Sequence, residues 1–341
     1  MCIIFAYPNF CTLFDSGYLD KGIVLYKSLE GLSDEIHLYI FAFDEKCYQV
    51  LIDMGLDKAT VINLKDFETK EMKQLKQKRS RAEYCWTCTP LAIEYVLNNY
   101  NVDVCTYVDA DIMFFSSVKP IFDKMKLEGA SILITPHRFP TNEAGKKLEN
   151  TFGRYCVEFN TFRNNEEGRT ALSWWRERCL EWCYYEKGGE RLGDQKYLDN
   201  WTQLFSGVLE VDHWGAGLAP WNIGQCSLLD ANGKDVRFTR RNTTEEWNLV
   251  FYHYQNIRYL PHNFVNIGIG KSENALKKAV YYPYLMKVER IRQELDDKYE
   301  MKFITQKSCS QNPFIAFGQK KIMPYRIRSF SDIINLKTLH E

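Results

Sequence analysis

The sequence predicts an α/β fold in which a mostly parallel sheet is covered by helices on both faces. Three observations predict it. Across residues 9–64, apolar β-rich runs alternate with helix-periodic segments, and parallel neighbours need such crossover connections. Strand-like runs recur at 106–108 and 131–135, again separated by helical patterns. At 341 residues and 45% hydrophobic, the chain is too long for a stapled mini-protein and too apolar for disorder.

The elements follow in order. Residues 10–14 are the first strand, and Leu19, Ile23 and Tyr26 then recur at helical spacing up to a stop at Gly31. Residues 36–43 read as a buried strand. Tyr48, Leu51 and Ile52 mark a short helix ending near Gly55, and 60–64 is a third strand. The Lys-rich stretch 68–81 reads as surface helix and loop. Thr89 and Pro90 look like an N-cap followed by proline in the first turn, opening a helix to about Asn98. The strand at 106–108 runs directly into Asp109-Ala110-Asp111, and a helix from Ala171 to about Tyr185 carries Leu172, Trp175, Cys179 and Trp182 as a core stripe. Composition shifts near Tyr281-Tyr282-Pro283-Tyr284. This divides the chain into an α/β domain at 1–285 and, at 286–341, a helix with a basic C-terminal extension.

Lys and Arg total 44 against 44 Asp and Glu, so no global positive field draws in a phosphate backbone and nucleic acid is not an expected partner. The eleven cysteines are irregularly spaced in apolar runs, which suits a reducing, cytoplasmic compartment. Cys85, Cys88, Cys179 and Cys183 could supply four thiolates to zinc. The last two, however, have helical spacing without turn formers, and packed thiols are the expectation. The apolar start, Met1 to Pro8, lacks a basic n-region and reads as an approach to a strand, not as a signal peptide. No run of eighteen uncharged apolar residues predicts a membrane span.

Two stretches carry chemistry. In Tyr107-Val108-Asp109-Ala110-Asp111 two carboxylates stand where an apolar strand emerges, the end of an open α/β sheet at which ligands bind. Adjacent like charges between apolar flanks are costly unless a cation neutralises them, and Mg2+ or Mn2+ shared with substrate phosphates would do so. Solvated aspartates in a turn are the plainer alternative. In Gly193-Asp194-Gln195, glycine permits a tight approach and the next two residues project polar groups.

Taken in order, Phe14-Asp15-Ser16-Gly17-Tyr18, Tyr107-Val108-Asp109-Ala110-Asp111, Asp194-Gln195-Lys196-Tyr197-Leu198 and Phe251-Tyr252-His253 resemble nucleotide-sugar glycosyltransferases of the GT-A fold. The resemblance is greatest to bacterial enzymes related to glycosyltransferase family 8, over roughly residues 9–285. It implies that Asp15 and Tyr18 hold the nucleobase and that Asp109 and Asp111 coordinate a divalent cation, Mn2+ or Mg2+, on the donor diphosphate. By the same resemblance Asp194 and Gln195 sit beside the donor sugar, and Arg81, in preference to Arg79, reaches the diphosphate. A late histidine completes the metal site. His213 and His253 compete, and His253 is preferred because Pro220-Trp221-Asn222 fits an element that precedes the metal histidine. Where the family has Asn-Ala-Gly, this chain has Glu158 and Asn160 in Tyr155-Cys156-Val157-Glu158-Phe159-Asn160. Either could take over sugar or acceptor contacts, and a well-placed Glu158 could be a base or nucleophile.

The implied activity is metal-dependent transfer of a sugar from a nucleoside-diphosphate donor, UDP-sugar foremost, to a hydroxyl of a glycan or lipid-linked acceptor, with retention. A sugar-phosphate nucleotidyltransferase would need a Gly-rich basic loop, of which Gly17-Tyr18-Leu19-Asp20-Lys21-Gly22 is a poor version. A non-catalytic carbohydrate-binding protein would stack sugars on Trp and Tyr but would not need Asp109 and Asp111. From Lys302 onward seven basic and two acidic residues are interleaved with Phe303, Ile304, Phe314, Phe317 and Tyr325. That mixture suits peripheral contact with an anionic membrane at its inner face; packing of these aromatics on the catalytic domain is the competing expectation.

Overall fold

The computed structural model describes residues 9–33, 35–186, 189–269, 273–303 and 332–340. The chain opens with β1 (Asn9–Phe14), α1 (Leu19–Glu30), β2 (His37–Ala42), α2 (Glu45–Met54) and β3 (Ala59–Asn63), the βαβαβ unit the alternating pattern predicts. β1 pairs in parallel with β2, and β2 with β3. α2 begins where the Asp44 side chain accepts from the Cys47 amide and ends at Gly55, whose φ of +60° gives the left-handed cap that glycine adopts without strain.

Next come α3 (Leu64–Phe67), α4 (Lys70–Lys76) and α5 (Arg81–Asn99). α5 corrects an expectation, because Thr89 and Pro90 lie inside it. It starts at Ser80, which accepts from the Glu83 amide while the Glu83 side chain accepts from the Ser80 amide, satisfying two orphan donors at once. Interior proline costs ~3 kcal/mol. The buried Ile93, Val96 and Leu97 of the same helix each contribute about 1.5–3 kcal/mol, so the helix continues through the proline.

β4 (Val104–Val108), β5 (Ile112–Phe114), α6 (Lys119–Leu127), β6 (Ile132–Pro136), α7 (Glu143–Phe152), β7 (Tyr155–Arg163), α8 (Glu166–Glu181), α9 (Trp201–Leu204) and β8 (Val208–Glu210) complete the central layer. Its seven strands run in the order β3-β2-β1-β4-β7-β6-β8. β7 is antiparallel to both its neighbours, and every other pairing in the sheet is parallel. The two faces are covered by different helices. Phe10 packs with Ile23, Val50 and Ile121 on one side, whereas its neighbour Cys11 packs with Ile93 and Trp175 on the other, as strand alternation requires.

The remaining strands are β9 (Cys226–Asn232), β10 (Asp235–Arg240), β11 (Glu246–Asn248), β12 (Phe251–His253), β13 (Arg258–Leu260) and β14 (Phe264–Asn266). They are followed by α10 (Asn274–Leu276), a π-helical turn at Lys277–Tyr281, α11 (Tyr282–Tyr299) and β15 (Ile333–Asn335). The division expected after Leu285 falls inside α11. On either side of it Tyr284, Leu285, Val288, Ile291 and Leu295 are buried in the same core as Phe10. Tyr284 stacks on Tyr254 with ring centroids 3.6 Å apart, and Arg292 bonds the buried Asp20 of α1 at 2.6 Å. Most of the basic tail, residues 304–331, lies outside the described residues. Phe303, counted among the aromatics expected to meet lipid, packs against the core instead, near the Arg292 guanidinium. β15 pairs with β14. Among the described residues no helix is long and apolar enough to cross a membrane. The nine described cysteines are free thiols, all buried except the half-buried Cys85.

Candidate active site

β1 and β4 are neighbours at the point where strand order reverses, and a crevice at the carboxyl ends of such strands is where open α/β sheets bind ligands. Asp15 follows β1 and Asp109 follows β4. The turn after β4 is held by Asp109 N donating to Glu158 O (3.1 Å) and Ile112 N donating to Asp109 O (3.2 Å). β5 then leaves the turn and pairs antiparallel with β12, in a register that sets His253 opposite Ile112. Tyr254 N donates to Asp111 O at 2.9 Å, so a histidine from the last third of the chain stands beside the two aspartates. His253 Nε2 lies 3.1 Å from Asp111 Oδ1 and 3.6 Å from Asp109 Oδ2. Its Nδ1–H donates to Glu158 Oε2 at 2.6 Å. Tyr107 OH donates to Asp109 Oδ1 at 3.0 Å.

Burial pushes the Asp109 carboxyl up to about 6, with the His253 charge opposing it. Burial would raise Asp111 too, but the charge and hydrogen bond of His253, then Lys21, pull it below the ordinary value. Burial would lower His253, yet Asp111 first, then contacts with Cys156 and Glu158, raise it well above the ordinary value. Three carboxyl groups thus surround one imidazole, an arrangement that favours an added cation. One ligand atom each from Asp109, Asp111 and His253 lies within 4.8 Å of the others. Two carboxylates and an imidazole form a donor set that fits Mn2+, and Mg2+ less well because of the nitrogen.

The other expected residues are distributed unevenly. Asp15 caps the short turn after β1, accepting from Gly17 N at 3.0 Å, and pairs with Arg81. Tyr18 is 40% exposed, and the negative charge of Asp111, the largest influence on its hydroxyl, raises its pKa. Lys21, which the sequence reading did not single out, stands 3.6 Å above the Tyr18 ring and helps to hold Asp111 ionised. Its signal was there to read: in the first turn of α1 it lies three residues from Tyr18, on the same face. Arg79 is occupied elsewhere, buried and donating to Cys179 O (2.8 Å) and Leu180 O (2.7 Å) at the end of α8. There it satisfies carbonyls the helix leaves open.

Asp194 is buried, and burial together with the nearby Asp109 charge pushes its carboxyl up to about 8. Its carbonyl accepts from Trp175 Nε1 at 2.9 Å. Gly193, at φ +53°, lets the chain pass beneath Trp86, whose ring would lie 3.2 Å from an added Cβ. Gln195 turns its amide to Phe152 O. Asn160 is fully buried and accepts from Thr135 N at 3.4 Å. Glu158, expected to face the sugar as base or nucleophile, is wholly buried behind His253. His213 accepts from Gly215 N at 3.1 Å and lines a hollow with Lys124, Asp212 and Glu245. No contact joins it to the aspartates.

No protein-family model matches the chain. Over 259 residues it is 30% identical to YfnF, an uncharacterized protein of Bacillus subtilis (strain 168), and the match covers 74% of this chain and 83% of that one. It is 28% identical over 296 residues to YfnD of the same organism, covering 85% and 92%. A galactosyltransferase, LgtC, solved in complex with donor and acceptor sugar analogs, is similar in structure at 17% identity and a TM-score of 0.46, over 73% of this chain and 87% of that one.

Proposed function

The chain belongs to the same family as YfnF of Bacillus subtilis (strain 168), and from the site that its fold assembles we propose that it is a metal-dependent glycosyltransferase. The donor would be a nucleoside-diphosphate sugar, UDP-sugar in the first place, the acceptor a hydroxyl of a glycan or lipid-linked molecule, and the outcome retention. One observation carries this reading: Asp109, Asp111 and His253 converge at the carboxyl end of β4, and the order of motifs resembles that of family 8 enzymes.

Asp109, Asp111 and His253 would hold Mn2+ or Mg2+. When bound, such an ion offsets diphosphate charge and acts as a Lewis acid on the departing nucleotide. Lys21 and Arg81 add fixed positive charge at the rim, where electrostatic stabilisation of a leaving phosphate is usually the largest single contribution. Asp15 and Tyr18 take the nucleobase side. Asp194, with its carboxyl at about 8, is mainly protonated at neutral pH and can donate a hydrogen bond to a sugar hydroxyl, and Gln195 borders the same space.

The test is a panel of nucleotide sugars assayed for Mn2+-dependent hydrolysis, with thermal unfolding followed in UDP plus and minus Mn2+. Stabilisation by UDP that requires Mn2+, with turnover of one donor, is expected. Nucleotide affinity that is absent or independent of metal overturns the reading in favour of a sugar-binding protein.

A further inference from the structure

We infer that Glu158 is a positioning residue that presents the Nε2 lone pair of His253 to the metal, a role that rests on the metal-dependent reading above. The geometry has four parts. His253 Nδ1–H donates to Glu158 Oε2 at 2.6 Å, which leaves Nε2 directed at Asp111 (3.1 Å) and Asp109 (3.6 Å). A histidine whose other ring nitrogen is held by a carboxylate is fixed in tautomer and orientation and made a better ligand. The Glu158 carbonyl also accepts from Asp109 N at 3.1 Å, so one residue of β7 ties down both the aspartate turn and the imidazole.

The carboxylate is itself held in place. It is fully buried, its Oε1 finds no hydrogen-bond donor among the described residues, and the charge of Arg138 is its electrostatic counterpart; a buried carboxylate oxygen without a donor costs stability. Gly217, at φ +83°, closes over it so tightly that an added Cβ would lie 2.8 Å from Oε1. The Trp221 ring packs T-shaped against the imidazole, with ring centroids 5.4 Å apart. A wholly buried group cannot reach an anomeric carbon, whereas this carboxylate does meet the imidazole, at 2.6 Å.

The experiment measures Mn2+ binding, with the metal alone as probe, by electron paramagnetic resonance on the full chain, on Glu158→Gln and on Asp111→Ala. Glu158→Gln, nearly isosteric, is expected to bind Mn2+ about 10–100-fold more weakly, and Asp111→Ala more weakly still. Nitrogen-15 spectra of the Mg2+-loaded wild-type protein should show His253 carrying its proton on Nδ1 alone, which decides the matter even if the variant does not fold. Wild-type affinity in Glu158→Gln with loss in Asp111→Ala, or a proton on Nε2, overturns the positioning role and leaves the metal site standing. No Mn2+ binding by the wild type, or equal binding by Asp111→Ala, overturns the metal reading and this inference with it.

Discussion

Asp109 and Asp111 approach the same imidazole nitrogen, at 3.6 and 3.1 Å, so removing either leaves a cation with half of its protein charge. Asp111→Ala is expected to abolish transfer, a loss of several kcal/mol of transition-state stabilisation, on the order of 100-fold or more in kcat. Asp109→Ala should behave alike, and excess chelator should mimic both. Near-normal turnover by a folded variant would contradict the assignment. His137 makes a different kind of prediction, about stability. It is buried beside Phe139 and Trp221, with Nδ1–H donating to Gly153 O at 3.0 Å, and burial pulls it down to about 3. An unfolded histidine titrates near 6.5, so between about pH 6.5 and 3 the unfolded chain binds one proton more than the folded one. Stability should therefore decrease as the pH is lowered from about 6.5 towards 3, by up to ~1.4 kcal/mol per unit from this residue. Urea unfolding at pH 4.5 to 7.5 should show His137→Gln with a slope shallower by about one proton.

α5 shows how one element links stability to the site. Its cap, Ser80 with Glu83, immediately precedes Arg81, which pairs with Asp15 across the crevice. Ser80→Ala should lower the unfolding free energy by about 1 kcal/mol. It should also raise the KM for the donor more than it lowers kcat, because the first turn that carries Arg81 frays; equal KM for both proteins would detach Arg81 from the donor. Ser80-x-x-Glu83 has the form of a capping box, a signal that the Thr89-Pro90 start predicted from the sequence leaves unused, because proline is favoured in a first helical turn. Packing decided otherwise through Ile93, Val96 and Leu97. The β5–β12 ladder works in the opposite direction, from tertiary pairing to chemistry. A slip of one residue would turn His253 away from Asp111 and put Tyr252 or Tyr254 in its place.

For the molecule as a whole, the C-terminal helix belongs to the core that supports the site. Asp20 is fully buried on α1, one residue before Lys21, and meets Arg292 of α11, whose guanidinium also covers the Tyr259 ring at 3.2 Å. Arg292→Met should cost about 3–5 kcal/mol, because it leaves a buried carboxylate without its partner. Pairing it with Asp20→Asn should recover most of that loss, and a urea double-mutant cycle measures the coupling. Coupling near zero would show that α11 is held by its apolar face alone. The sequence by itself determined the βαβαβ start, the strand that delivers Asp109 and Asp111, and α11 as a helix, because periodicity, glycine stops and apolar runs act over a few neighbouring residues. Motif order favours His253 over His213, but only the tertiary structure brings it to those aspartates, sets Glu158 behind it and joins α11 to the main core. Those outcomes depend on pairing between distant segments, such as Phe251 on Phe114 and Tyr254 on Tyr284. Burial of these rings selects the register, and nothing local in either segment encodes its partner.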